Sequence, residues 1–177
     1  MVFREDLLDC IPQVVLDEDY EVRPYRPGDE AGQVRVMRAA GFDTWNEESL
    51  RSNLAKALPN GLFLAMHKPR DLIVGAAMSI HNPSELHPFG GELGWVACDP
   101  DHSGKGLGAA VCAAVVRRFA VSGYRRIYLK TDDWRLAAIK IYLSLGFEPF
   151  LFLPDMQERW RAVCGRLDWP STGPLLQ

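Results

Sequence analysis

Apolar and polar residues recur along the chain in two periods, one typical of strands and one typical of helices. Residues 20–25 alternate weakly and predict a first strand. Apolar residues then recur at helical spacing after Asp29 and again after Asn46, which predicts two helices capped by these side chains. The stripe of the second helix includes Ala57 and Leu58, so this helix is predicted to end at the following Pro-Asn-Gly.

The rest of the chain predicts strands that first follow one another and later alternate with helices. The predicted strands cover residues 62–66, 72–79, 93–98, 125–130 and 147–153. The predicted helices begin near Leu107, at Asp132 or Asp133, and near Met156. An irregular segment, residues 81–91, precedes the 93–98 strand. This order predicts an α+β fold, an α/β sandwich in which a mixed central sheet carries helices on both faces.

Charge and cysteine content exclude several function classes. The formal net charge of the 177 residues is −3, which does not favour the phosphate neutralisation on which nucleic-acid binding depends. The four cysteines are scattered, without metal-ligand spacing, and indicate free thiols in a reducing compartment. No segment approaches the length of about 20 apolar residues that spans a bilayer. We therefore expect a cytoplasmic protein with no membrane partner and no metal.

A glycine-rich loop is the most informative stretch of the sequence. It reads Ser103-Gly104-Lys105-Gly106-Leu107-Gly108 and lies between a predicted strand and a predicted helix. Glycines let the backbone turn sharply, and the helix behind them directs its unpaired N–H groups at the turn. The loop is typical of a phosphate or pyrophosphate site, or of a tight structural turn. Its spacing matches neither a Walker A loop nor a dinucleotide fingerprint.

Two motifs resemble the GNAT superfamily of acyl-CoA N-acyltransferases. The loop follows Asp99-Pro100, and residues 103–108 resemble the family pattern [R/Q]-x-x-G-x-[G/A]. Residues 138–147, A-I-K-I-Y-L-S-L-G-F, resemble the A-x-x-x-Y-x-x-x-G-F segment that closes the cofactor slot in that family. The element order agrees from residue 20 to about residue 152. The resemblance implies a mostly antiparallel sheet of six to seven strands in a single N-acetyltransferase domain. An extension (1–18) would precede the core (19–152), and a C-terminal helix and tail (153–177) would follow it.

The resemblance also implies acetyl-CoA as co-substrate, with its pyrophosphate held by the amides of the glycine loop. By resemblance, the cofactor-binding residues are Val96, Ala97, Cys98, Ser103, Gly104, Lys105, Gly106, Leu107, Gly108, Ala109, Arg135, Ala138 and Tyr142. Ser103 stands where the family usually has Arg or Gln, and Arg135 where Asn often begins the second motif. These departures change side-chain contacts but leave the amides of the loop in place.

Acyl transfer to an amine requires a neutral nucleophile, and Glu92 is the candidate for the base that produces it. For an amine of pKa about 10.4, freeing the electron pair at pH 7 costs about 4.6 kcal/mol, so a general base is useful. Glu92 begins the strand that leads to the loop, at the place where the histone-acetylating branch carries its catalytic glutamate. By the same resemblance, Tyr142 protonates the departing sulfur. Cys98 and Cys112 lie among apolar residues, which disfavours a covalent acyl-cysteine route.

The predicted function is transfer of an acetyl or short acyl group from acetyl-CoA to a primary amine in a ternary complex. We expect a small-molecule acceptor, with a peptide as the other option, entering over the first two helices. Asp43, Glu47, Glu48 and Glu85 are predicted to attract it as a cation. The alternative is a coenzyme A-binding regulatory or interaction module without turnover. The family resemblance leaves a homodimer open.

Overall fold

The computed structural model describes residues 1–170, so all but the first residues of the predicted irregular tail from Trp169 lie outside the described part. The strands are β1 (Val2–Phe3), β2 (Tyr20–Pro24), β3 (Ala57–His67), β4 (Leu72–His81), β5 (Gly91–Cys98), β6 (Ile127–Tyr128) and β7 (Phe147–Glu148). The α-helices are α1 (Glu30–Ala39), α2 (Glu47–Leu54), α3 (Leu107–Val121), α4 (Leu136–Leu145) and α5 (Met156–Leu167). None of the helices in this part of the chain is long and apolar enough to cross a bilayer.

The strands form one sheet in the order β2-β3-β4-β5-β6-β1-β7. Every pairing among the described strands is antiparallel except that of β5 with β6. One buried cluster joins the sheet to α3 and α4, and a second joins it to α1 and α2, so apolar side chains are buried on both faces. Helix α5 packs against α4. The predicted α+β architecture, with a mixed sheet of six to seven strands, is confirmed.

Two parts of the chain join the sheet where the sequence did not predict a strand. Val2 pairs with both Tyr128 and Glu148, so the segment expected to precede the core contributes β1. Ala57 and Leu58, predicted on the second helix, instead begin β3, because Ala57 pairs with Ile80. A register shift between Ala57 and Leu62 absorbs the Pro-Asn-Gly within the strand.

Of the three helix starts predicted at Asp or Asn residues, one agrees with the structure and two differ, in capping or in position. Asn46 caps α2 as expected, since its side chain accepts a hydrogen bond from Ser49 N. Asp29 precedes α1, but its carboxylate binds Arg23 instead of capping the helix. Helix α4 begins after Arg135, and not at Asp132 or Asp133. The predicted strands 125–130 and 147–153 shorten to the two-residue β6 and β7, which pair only over those residues.

Candidate active site

The parallel strands β5 and β6 separate soon after they meet, and a cleft opens between them. Their pairing consists of Gly91 with Ile127 and Glu92 with Tyr128. Beyond Glu92, β5 continues to Cys98, whereas β6 has ended. The cleft has a volume of about 420 Å³. It is lined by Phe42, Asn53, Lys56, Ile80, Asn82, Glu92, Leu93, Gly94, Trp95, Val96, Lys130, Thr131, Asp132, Arg135 and Tyr142.

A β-bulge bends β5 where it lines the cleft. Ala76 of β4 pairs with Ala97 and Met78 pairs with Gly94, so Trp95 and Val96 together oppose a single residue. Trp95 adopts a left-handed φ of +55°, which is rare for a bulky residue and marks local strain. A bulge takes main-chain groups out of the ladder, so groups at this point are available to a ligand.

An aromatic cluster holds the bulge in place and forms one wall of the cleft. The Trp95 ring lies 4.5 Å from that of Trp45 and 5.8 Å from that of Phe42, measured between centroids. The indole Nε1 of Trp95 donates to Asn53 Oδ1 at 2.7 Å. Because Asn53 lies on α2, the contact ties the second helix to the bulged strand. The wall on the α1 and α2 side is therefore rigid and mostly aromatic.

Glu92 lies at the point where the strands separate, and only one of its oxygens is engaged. Asn82 Nδ2 donates to Oε2 at 2.5 Å, and Lys130 Nζ lies 3.4 Å from the same oxygen. The Tyr128 hydroxyl is 3.3 Å from Oε2 and donates to Asn82 O at 2.5 Å. Within residues 1–170, Oε1 of Glu92 accepts no hydrogen bond. The side chain is only 16% exposed and lines the cleft, so Oε1 is free to accept a hydrogen bond from a ligand.

Tyr142 lies on α4 and lines the cleft together with Arg135. Its ring packs edge-on against Phe147, and the side chain is buried. This burial raises the pKa of Tyr142 far above its ordinary value, so the phenol keeps its proton. Burial likewise raises the pKa of the Cys98 thiol to about 11 and raises that of Cys112 further. Neutral thiols agree with the expectation that the two cysteines are not nucleophiles.

The glycine loop forms a row of unpaired amides at the start of α3. Gly104 and Gly106 each have a φ of +74°, a conformation that other residues adopt only with strain. The first helical hydrogen bond runs from Ala110 N to Gly106 O, at 3.0 Å. Within the described residues, no N–H from 104 to 109 donates to another group of the chain. A Cβ built at Gly104 would meet nothing within 4 Å, so the loop is open there, whereas one at Gly106 would lie 3.7 Å from Val14 and Leu16.

The predicted site residues divide into three groups in the structure. Glu92, Val96, Arg135 and Tyr142 line the cleft. Ser103, Lys105 and the glycines around them are exposed on the loop, whereas Leu107 and Gly108 are buried in the first turn of α3. A Cβ at Gly108 would lie 3.0 Å from Ile141 Cδ1 and 3.3 Å from Cys98 Sγ. Gly108 therefore allows close packing. Ala97 belongs to the buried cluster beside α1 and α2. Cys98 and Ala138 pack against the buried cluster beside α3 and α4.

The acidic residues expected at the entrance do not line the cleft. Asp43, Glu47, Glu48 and Glu85 are all exposed, and Glu47 pairs with Arg51. The cleft instead contains Glu92 and Asp132 as its acids. The prediction relied only on the position of these residues in the chain. Exposed helix surfaces are acidic in many proteins, whether or not a binding site lies nearby.

Several residues of the cleft were not predicted from the sequence. Asn82 and Tyr128 orient Glu92, and Trp95 forms the aromatic wall with Phe42. No local pattern indicates them, since they come from different elements and meet only in the folded sheet. One signal was available, because Tyr128 occupies the position next to Ile127 and so faces away from the side that Ile127 buries.

The two histidines of the 81–91 segment have separate partners. His81 Nδ1 lies 2.7 Å from the Tyr124 hydroxyl. His87 stacks on the Tyr128 ring, with 4.0 Å between centroids, and accepts from Arg126 Nε at 3.1 Å. Among the residues that the structure describes, no three His, Cys, Asp or Glu side chains are grouped to hold a metal ion.

Comparison with protein families finds one match over most of the chain. The model of the acetyltransferase (GNAT) family matches residues 30–147. Mycothiol acetyltransferase of Rhodococcus jostii (strain RHA1) is 30% identical over 158 residues, which cover 83% of this chain and 52% of that protein. Mycothiol acetyltransferase of Amycolatopsis mediterranei (strain U-32) is 31% identical over 149 residues, covering 77% and 48%. The chain spans about half the length of these curated relatives.

Solved structures share the fold at lower identity. The ribosomal-protein-S18-alanine N-acetyltransferase of Escherichia coli superposes with a TM-score of 0.61 at 21% identity, covering 75% of this chain and 79% of that one. The glucosamine-6-phosphate N-acetyltransferase of Arabidopsis thaliana gives a TM-score of 0.59 at 14% identity, covering 77% and 96%. At these identities the likeness concerns the fold alone.

Proposed function

Since the chain belongs to the GNAT acetyltransferase family, we propose that it transfers an acetyl or short acyl group from acetyl-CoA to a primary amine. The observation that carries this proposal is the arrangement of Glu92. Its carboxylate lies where β5 and β6 separate, with one oxygen held by neighbours and the other open to the cleft. The amides of the loop and the cleft supply the two binding regions that such a transfer needs.

In the proposed complex, the loop amides from residue 104 to residue 109 bind the pyrophosphate of coenzyme A. The N-terminus of α3 adds the positive end of its dipole, so an overall acidic protein can hold this anion. The main-chain groups at Trp95 and Val96, left out of the ladder by the bulge, are available to the thioester end. Ser103 and Lys105 are exposed and add little to a contact made by amides.

In the proposed reaction, the neutral amine attacks the thioester carbonyl and the carbon–sulfur bond breaks. Oε1 of Glu92 accepts the proton that the bound ammonium loses to become the neutral amine, while Asn82 and Lys130 hold Oε2, and the second proton of the nitrogen passes to water after the attack. The phenol of Tyr142 donates a proton to the departing sulfur. Because the thiol has an ordinary pKa near 8.5, the thiolate leaves readily and the acid contributes less than the base.

The experiment is an amine panel with acetyl-CoA, followed by release of free thiol. We expect at least one primary amine to be acetylated, with the product identified by mass spectrometry. A thermal shift with coenzyme A but no turnover of any amine would favour the non-catalytic binding module instead. Absence of both a thermal shift and turnover would overturn the proposal.

A further inference from the structure

Arg135 extends across the cleft from the start of α4 to the opposite wall. Its guanidinium carbon lies 5.4 Å from the centroid of the Phe42 ring and 4.8 Å from that of the Trp134 ring. Phe42 belongs to the segment between α1 and α2, on the far side of the cleft from α4. The side chain is 34% exposed, so the two rings restrict the guanidinium without covering it. The guanidinium therefore contacts both rings and remains partly exposed at the cleft.

The hydrogen-bond donors of Arg135 are not used by the protein. Within residues 1–170, its buried Nε has no hydrogen-bond partner, and Asp132 Oδ2 lies 3.4 Å away as an ion pair only. Two other arginines engage theirs. Arg23 binds both carboxylate oxygens of Asp29, at 2.7 and 2.8 Å, and Arg159 binds both of Asp133, at 2.8 and 3.0 Å. The two terminal nitrogens of Arg135 donate to no described residue and suit bidentate binding of a carboxylate or phosphate.

The cleft contains charges of both signs. Lys56, Lys130 and Arg135 face it with Glu92 and Asp132. Lys130 is 70% exposed and only 3.4 Å from Glu92, so it orients the carboxylate with little burial of its own. A ligand with an ammonium and an anionic group matches this lining better than a plain amine does. A cleft of about 420 Å³ also suits a small molecule.

The phosphates of coenzyme A have a separate place in the proposed complex. The glycine loop, residues 103–109, contributes none of the residues that line the cleft. The pyrophosphate bound there is therefore not the anion that the guanidinium of Arg135 faces. The contact with Phe42 associates Arg135 with the wall over which the acceptor is expected to enter.

We propose that the acceptor is a small primary amine that also carries a carboxylate or phosphate group, and that Arg135 binds this group. This inference rests on the proposed function above. The ammonium end of the acceptor lies toward Glu92, and the anionic end lies toward Arg135 and Lys56. Arg135 thereby determines which acceptors the cleft binds. The sequence predicted that Arg135 binds the cofactor, and the test distinguishes this role from the proposed one.

The test uses pairs of primary amines that differ only in the anionic group. Glucosamine 6-phosphate is compared with glucosamine, phosphoethanolamine with ethanolamine, and 4-aminobutyrate with butylamine, each at saturating acetyl-CoA. We expect kcat/KM of the wild type to favour the anionic member of at least one pair by about 10- to 100-fold, the size of a lost hydrogen bond to a charged group. Arg135→Gln should remove this preference by raising KM for the anionic amine.

Two further variants keep the result interpretable. Arg135→Lys retains the charge but not the fork, so an intermediate KM is expected. Arg161→Gln, on the exposed surface of α5, removes one arginine charge away from the cleft and should leave both KM values unchanged. Circular dichroism and Tm identify a variant that fails to fold, in which case Arg135→Lys alone decides the test.

The outcomes separate this inference from the proposed function. A kcat/KM for the amines without the anionic group that equals that of their anionic partners in every pair would overturn the inference and leave the acetyltransferase proposal intact. A raised KM for acetyl-CoA in Arg135→Gln, with the acceptor preference unchanged, would assign Arg135 to the cofactor. If the wild type acetylates no amine of the panel, both proposals fail.

Discussion

The glycine loop before α3 offers only main-chain amides to a ligand, whereas the cleft beside β5 offers side chains from widely separated parts of the chain. The loop depends on backbone conformation, which two glycines with positive φ permit. The cleft depends on the positions of Glu92, Arg135 and Tyr142 relative to one another. Substitutions should therefore act differently in the two regions, through backbone strain in the loop and through lost functional groups in the cleft.

The largest effect is expected from Glu92→Gln, which removes the base and keeps the shape of the side chain. General base catalysis contributes about 10²- to 10⁴-fold, so kcat should fall by that factor. KM for acetyl-CoA should stay within about twofold, because the pyrophosphate is held elsewhere. Steady-state thiol release with an accepted amine measures both constants.

The matched control for this change is Glu158→Gln on the exposed surface of α5. It should leave kcat unchanged. A kcat for Glu92→Gln within threefold of the wild type would remove Glu92 from the mechanism and show that the cleft acts without a side-chain base.

The double variant Gly104→Val/Gly106→Val is expected to weaken coenzyme A binding strongly. Each forced left-handed residue costs about 1–2 kcal/mol, so Kd should rise by about 30- to 1000-fold. Isothermal titration with coenzyme A measures the change. Gly28→Val imposes the same kind of strain at a φ of +103° in a turn after β2, and it should leave Kd unchanged. A normal Kd for the double variant would show that the loop does not hold the cofactor.

Tyr142→Phe should lower kcat by about 10- to 100-fold, at the low end for general acid catalysis, because the thiolate is a good leaving group. Since burial raises the pKa of Tyr142, the phenol stays protonated across the assay range. The wild type should consequently lose no activity through Tyr142 up to about pH 11, where a tyrosine of ordinary pKa, about 10, would be mostly deprotonated. Rates of both proteins against pH check this. An alkaline loss of activity that Tyr142→Phe abolishes would contradict the expected shift.

The smallest effect is expected from Ser103→Ala and Lys105→Ala. Both side chains are exposed, and an exposed charge pair contributes at most about 1 kcal/mol, so Kd for coenzyme A should change by about fivefold or less. Isothermal titration measures these changes on the scale used for the glycine variants. A loss as large as that of the double glycine variant would mean that side chains, and not amides, hold the pyrophosphate.

The difference between a loop built from neighbouring residues and a cleft built from distant ones also explains which features the sequence could predict. The start of α3 at Leu107 and the sharp turn before it follow from neighbouring residues, because glycine conformation and helix initiation are local properties. The motifs carried the family resemblance, and the family and the mixed sheet are confirmed. The cofactor and catalytic roles of the individual residues remain predictions.

Long-range pairing explains what the sequence could not predict. The apolar spacing of Ala57 fits a helix, and only pairing with Ile80 makes it a strand residue. Val2–Phe3 is too short for a periodic pattern, although it fills a place inside the sheet. Arg135 and Phe42 lie too far apart in the chain for one local window to contain both, and Asn82 meets Glu92 only because β4 and β5 pair beside them.

The position of β1 between β6 and β7 has a consequence for synthesis on the ribosome. Val2 is made long before Tyr128 and Glu148, the residues with which it pairs. Contacts of such wide separation slow folding, because the intervening chain must be closed first. A nascent chain that ends before Phe147 therefore carries an unpaired strand edge. Until Phe147 and Glu148 have been made, this edge is open to wrong pairing with another chain.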